Sequence, residues 1–138
     1  MIIVTGASGF IGANLVHELV ARGHHVRALL REGSDLRGLE GVSYERVPGD
    51  LGDRKALTAG LRGVDWCFHV AASYHLWLPD YAPMYAANVE GTRNVLEAAG
   101  LSHRYDFEEQ ASTDADEGRR RPDVTVRLPG GIALAAAA

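Results

Sequence analysis

The feature that most constrains this chain is its opening. Met1-Ile2-Ile3-Val4 is an apolar run that breaks into Thr5-Gly6-Ala7-Ser8-Gly9-Phe10-Ile11-Gly12. Directly after it, Ile11, Leu15, Val16, Leu19 and Val20 recur at helical spacing as far as Ala21, and Gly23 supplies a stop. A short, wholly apolar run has the character of a strand buried on both faces. The spacing that follows is a strand, a G-x-x-G-x-x-G turn and a helix. Gly6 permits a tight turn without a Cβ clash, Gly9 lets the backbone approach a ligand closely, and Gly12 allows the helix to pack close to the strand. The helix mouth then offers free N–H groups and a positive dipole end, the arrangement that holds a diphosphate.

The same alternation continues. Val26–Leu30 reads as a second strand and Val42–Val47 as a third, closed by Pro48-Gly49. Asp53 is placed to cap a helix carrying Ala56, Leu57 and Leu61, ended by Gly63. Val64–Ala71 is a fourth apolar run, and beyond the breaks at Pro79 and Pro83 the stretch Met84–Ala99 has a helical pattern. Strands separated by helices pair in parallel through crossovers. The expected fold is therefore α/β, a partial doubly wound sheet of Rossmann type in the order 3-2-1-4.

Residues 101–138 differ in character. They hold an acidic stretch from Asp106 to Glu117, an Arg119-Arg120-Arg121 run and a terminal run of alanines, without sustained period. Val124–Leu128 has strand composition but meets Pro129-Gly130-Gly131 at once. Residues 1–100 are read as a nucleotide-binding half-domain and 101–138 as a disordered or foreign tail. Strand four would then lack its outer neighbour, and a bare edge invites self-association.

Composition narrows the classes of function. Of 138 residues, 46% are apolar and 23% charged, and the net charge is −4, which gives no support to general binding of nucleic acid or anionic membrane. No apolar run approaches the ~18 residues of a membrane span. Cys67 is the only cysteine, so no internal disulfide is available; with no basic leader before Thr5-Gly6, a cytoplasmic setting is expected. The six histidines form no cluster with ligand spacing, and no metal is expected. Cys67 lies in an apolar run and reads as a core residue.

Further residues bear on a dinucleotide. An NAD site commonly places Asp or Glu at the end of the second strand, against the ribose 2′-hydroxyl. Here Arg31 stands there, and a guanidinium suits a 2′-phosphate, which favours NADP; the alternatives are that Arg31 is simply solvated or that Glu32 binds the ribose, with NAD. Asp50, after the third strand, is placed either near the adenine amino group or simply in a turn. The small residues Ala71 and Ala72 at the end of the fourth strand leave room for a cofactor.

Together the segments TGASGFIG, GDL, HVAA and ANVEGTRNVLEAA resemble extended short-chain dehydrogenases/reductases of the NAD-dependent epimerase/dehydratase group. The stretch Ala71–Asp80 is similar to dihydroflavonol-4-reductase-like proteins, particularly the hopanoid-associated sugar epimerases. The likeness covers residues 1–100. It implies that Gly6, Gly9, Phe10, Ile11 and Gly12 surround the pyrophosphate, Arg31 the adenosine ribose, and Asp50 with Leu51 the adenine. It also implies that Ala71 and Ala72 lie against the nicotinamide ribose, and that Asn88 orders the active site from the helix behind it.

The resemblance also implies a tyrosine acid/base, its pKa lowered by a lysine four residues later, with a Ser or Thr on the substrate oxygen. Lys55 is the only lysine, and the residues four after the tyrosines are Pro48, Leu78, Tyr85, Val89 and Glu109. This chain contains no such pair, and no catalytic residue is assigned in it; the readings are an inactive enzyme fragment, a dinucleotide-binding module or partner subunit, or a non-functional pseudogene product. An apolar fifth strand ending in a Thr-Ser motif is expected after Ala99, where the sequence instead runs Ser102-His103-Arg104-Tyr105-Asp106-Phe107-Glu108. Asp-Phe-Glu can be written GAC TTC GAG, and one base downstream this reads Thr-Ser. A shift of reading frame near codon 100 is the hypothesis. Sequencing the locus is expected to show a second frame that continues the family pattern; if no frame does so, the hypothesis fails.

Overall fold

The computed structural model describes residues 1–74, 77, 79–100, 124–127 and 133–136. Strands β1 (Ile2–Thr5), β2 (Val26–Leu30), β3 (Glu45–Pro48) and β4 (Trp66–His69) lie parallel in the order β3-β2-β1-β4, as expected from the alternation. Helix α1 (Phe10–Ala21) crosses from β1 to β2, and α2 (Arg54–Leu61) from β3 to β4. The third strand is shorter than the apolar run and begins at Glu45. Pro48 belongs to it, opposite Leu30. A proline is tolerated there because β3 is an outer strand and its missing donor breaks no inner ladder.

Side-chain alternation divides the core between the two faces of the sheet. Ile2, Val4, Val26, Ala28 and Leu30 face one way and pack with Ala13, Val16 and Leu19 of α1. Ile3, Leu29, Val47 and Cys67 face the other way, against Leu57 and Leu61 of α2 and, from a later helix, Val95 and Leu96. Burial of Cys67 as a core residue agrees with its place in an apolar strand; desolvation pushes its thiol up to about 12.

Asp53 caps α2 as its position suggested: its carboxylate accepts from the N–H groups of Lys55 (3.1 Å) and Ala56 (2.9 Å). The later helix starts earlier than expected. Its first segment, α3 (Ala82–Tyr85), takes Pro83 into its first turn, where no N–H is needed. A π-helical segment (Ala86–Glu90) follows, and then α4 (Gly91–Ala98). The backbone stays helical throughout, so the period survives while its pitch changes in the middle.

The outer side of β4 departs from expectation. The edge expected to be bare is occupied by a strand from the tail, β6 (Ala133–Ala136), which pairs with β4 in parallel, Trp66 opposite Ala133 and His69 opposite Ala136. Strand β5 (Val124–Arg127) pairs antiparallel to β6. Main-chain hydrogen bonding is largely blind to side chains, so an alanine-rich segment with no strand period can complete the ladder. Self-association through an open β4 edge loses its basis here. The remaining tail residues lie outside the described part of the chain.

Leu57 is fully buried among Ile3, Val47 and Val95. Replacing it with alanine is expected to lower unfolding stability by about 2–5 kcal/mol, measured by urea titration. A loss well below 1 kcal/mol would mean that α2 does not seal this face.

Candidate functional site

The carboxyl ends of the parallel strands open on a cleft of about 840 Å³. Its floor is the turn between β1 and α1. Gly6 takes φ +70 there, and a Cβ on it would lie 2.7 Å from the Ala71 backbone. A Cβ on Gly12 would run into the Gly6 carbonyl. Turn and helix are thus packed backbone against backbone, which only glycine permits.

Gly9 is the N-cap of α1, with no side-chain cap and no acidic residue in the first turn. The helix therefore begins with unsatisfied N–H groups and its positive dipole end, next to Gly6, Ser8 and Gly9, which line the cleft. Phe10, Ile11 and Gly12 do not line it themselves. Phe10 is 87% exposed, and what these residues bring to the helix mouth is their backbone N–H groups.

At one end of the cleft Arg31 and Ser34 form the rim, with Asp50 and Leu51 beside them. Asp50 shapes its turn, Oδ1 accepting from Gly52 N–H (2.7 Å) and Asp53 N–H (3.1 Å). The two readings of Asp50 are thus compatible: it is a turn residue and it faces the cleft. At the other end lie Ala71, Ala72 and Ser73.

Asn88 does not line the cleft. It stands in the π-helical segment, and its side-chain amide accepts from Ser73 N–H (2.7 Å) and donates to Ser73 C=O (2.8 Å). A bidentate bond of this kind fixes a loop as a strand ladder would. π-helical insertions recur where a helix carries functional side chains, because the widened turn redirects them.

Sequence reasoning did not single out a buried polar chain behind Asn88. Thr92 donates its hydroxyl to the Asn88 carbonyl (2.6 Å). Its oxygen is left to accept from His69 Nε2–H (2.9 Å). The Nδ1 of His69 then accepts from the Thr5 hydroxyl (2.7 Å), which in turn lies 3.4 Å from Ala71 N–H. The direction of each bond follows from the one before, and the ring is assigned as the neutral Nε2–H tautomer. Burial lowers its pKa from 6.5 to about 4. The chain ties β1, β4 and the long helix together below the Ala71–Ser73 loop. A signal existed, since Thr5 and His69 end adjacent strands and Thr92 follows Asn88 by one helical turn.

The family model described as "NAD dependent epimerase/dehydratase family" matches residues 2–116. The chain belongs to this family. A Synechocystis sp. protein whose name is of the dihydroflavonol 4-reductase type is 46% identical over 96 residues, covering 70% of this chain and 28% of that protein. The crystal structure of gox2253 superposes with TM-score 0.66 at 45% identity, over 74% of this chain and 31% of the other. A short-chain dehydrogenase/reductase superfamily protein from Agrobacterium tumefaciens, solved with bound NAD, gives TM-score 0.60 at 38% identity, over 74% and 29%. The chain thus spans about 30% of the length of the relatives it matches.

Within this epimerase/dehydratase family member, no three His, Cys, Asp or Glu side chains gather as a metal set among the described residues. Nor is any helix among them long and apolar enough to cross a membrane.

The depressed His69 pKa has a defined consequence. The unfolded chain binds a proton near pH 6.5 and the folded chain only near 4, so stability falls as pH drops through that window. The loss is expected to total about 3 kcal/mol. Urea midpoints of wild type and His69→Gln between pH 7 and 4 check this: the variant should lose most of the slope, and an equal slope in both would remove His69 as the cause.

Proposed function

We propose that the cleft binds a nicotinamide dinucleotide, with NADP preferred over NAD. The observation that carries this is the uncapped mouth of α1, set by Gly12 against the Gly6 carbonyl beside a cleft lined by residues following all four parallel strands. Free N–H groups at such a mouth suit a diphosphate. Gly6, Gly9, Gly12 and the N–H groups of Phe10 and Ile11 would hold the diphosphate, Asp50 and Leu51 the adenine, and Ala71 and Ala72 the nicotinamide ribose. Asn88 would order that last end through Ser73. When bound, the cofactor supplies a carrier for hydride.

The NADP preference rests on Arg31, exposed at the rim beside Ser34. The neighbouring Arg37 is forked onto Asp35, whose carboxyl this holds down at about 2, so its charge is already matched. Arg31 is the guanidinium that faces the cleft.

In a whole protein, this region would serve a reductase, epimerase or dehydratase acting on a nucleotide-sugar or a small carbonyl or alcohol. Within residues 1–138 the absent Y-x-x-x-K pair favours a second reading, a dinucleotide-binding module or partner subunit that performs no chemistry itself. Residues 1–100 are the binding unit in either reading, and a reducing, cytoplasmic setting accords with the single buried thiol.

Calorimetric titration of the chain with NADPH and NADH is the test. NADPH is expected to bind about tenfold more tightly, and Arg31→Ala to abolish the difference. Equal affinities would leave a dinucleotide site without the NADP preference, and binding of neither would end the proposal.

A further inference from the structure

The turn that carries Asp50 and Leu51 is bonded mainly to itself. Gly52 and Asp53 donate to the Asp50 carboxylate, and Asp53 N–H also donates to the Asp50 carbonyl (3.1 Å). These bonds fix the shape of the turn. Gly49 N–H donating to the Leu30 carbonyl (3.1 Å) ties its entry to β2, and Asp53 ties its exit to α2. Leu51, between these anchors, is held by two contacts with α4. Asn94 donates from Nδ2 to the Leu51 carbonyl (2.9 Å), across 43 positions of chain. Gly91, buried one turn earlier, leaves room for the Leu51 side chain: a Cβ there would lie 2.9 Å from Leu51 Cβ and Cδ1.

Asn94 itself lines the cleft, but its Nδ2 is committed to the Leu51 carbonyl. We infer that it is a positioning residue for the adenine end of the cleft, acting through that carbonyl. The inference rests on the reading of the cleft as a dinucleotide site. Asn94 and Asn88 then divide the work along one helix. Asn88 holds Ser73 at one end of the cleft, and Asn94, about 9 Å further along the axis, holds Leu51 at the other.

The chemistry requires an amide at position 94. Its N–H satisfies a carbonyl that the turn leaves free, whereas a carboxylate of the same shape would set oxygen against oxygen. A polar residue that served only helix packing would have no reason to discriminate between the two ends of a ligand.

The two halves of a dinucleotide therefore provide the test. AMP and NMN are titrated separately into the full chain and followed by amide shifts in NMR spectra. Asn94→Asp is expected to weaken AMP about tenfold and leave NMN unchanged. Asn94→Ala removes the same donor without adding a charge and is expected to act in the same sense, so it decides the matter if Asn94→Asp does not fold. Equal loss on both ligands, or no loss on AMP, would overturn the inference while leaving the dinucleotide reading intact. Wild-type chain that binds neither ligand would remove that reading, and this inference with it.

Discussion

Everything at the carboxyl edge of the sheet depends on one close contact, that of the first turn of α1 with the carbonyl end of β1. Gly12 meets the Gly6 carbonyl without a side chain between them, and Gly6 itself abuts the backbone of Ala71. The β1–α1 turn, the first turn of α1 and the distant loop at Ala71 thus meet through main-chain atoms. Main-chain contacts have no rotamers to relax, so the mouth of α1 is held rigidly, with its free N–H groups already aimed. Preorganisation of this kind spares a ligand the cost of ordering its own site.

Around this contact the sheet works as a partition. Odd and even positions along β1 and β2 supply two separate cores, one sealed by α1 and the other by α2 and α4. Each helix consequently has one apolar face committed to the sheet and its ends left to chemistry. The long helix takes this furthest. Val95 and Leu96 bury it, while Asn88, Thr92 and Asn94 reach three different loops or strand ends.

The sheet and the glycine turn were legible in the sequence because their signals are local. An apolar run, glycines at fixed spacing and a helical period each act within a few residues of themselves. Asp53 as a cap was readable for the same reason. The Thr5–His69–Thr92 chain was not, since its members lie up to 87 positions apart and meet only once the strands are in register. Asn94 looked like any polar residue on an amphipathic helix, and nothing in its neighbours announced the Leu51 carbonyl. The pairing of Ala133–Ala136 with β4 was hidden for a different reason: backbone ladders carry little side-chain information.

The π-helical segment between α3 and α4 carries a constraint of its own. Between Ala86 and Glu90 the spiral widens, the Gly91 N–H reaching back five residues to the Ala86 carbonyl, so one residue more than an α turn holds is taken up within a single turn. Removing one residue there would close the wide turn into an ordinary α turn, leaving the flanking segments aligned but re-aiming the side chains within it, Asn88 among them. The number of residues in this turn thus governs the reach of Asn88 to Ser73 as directly as the identity of its amide does.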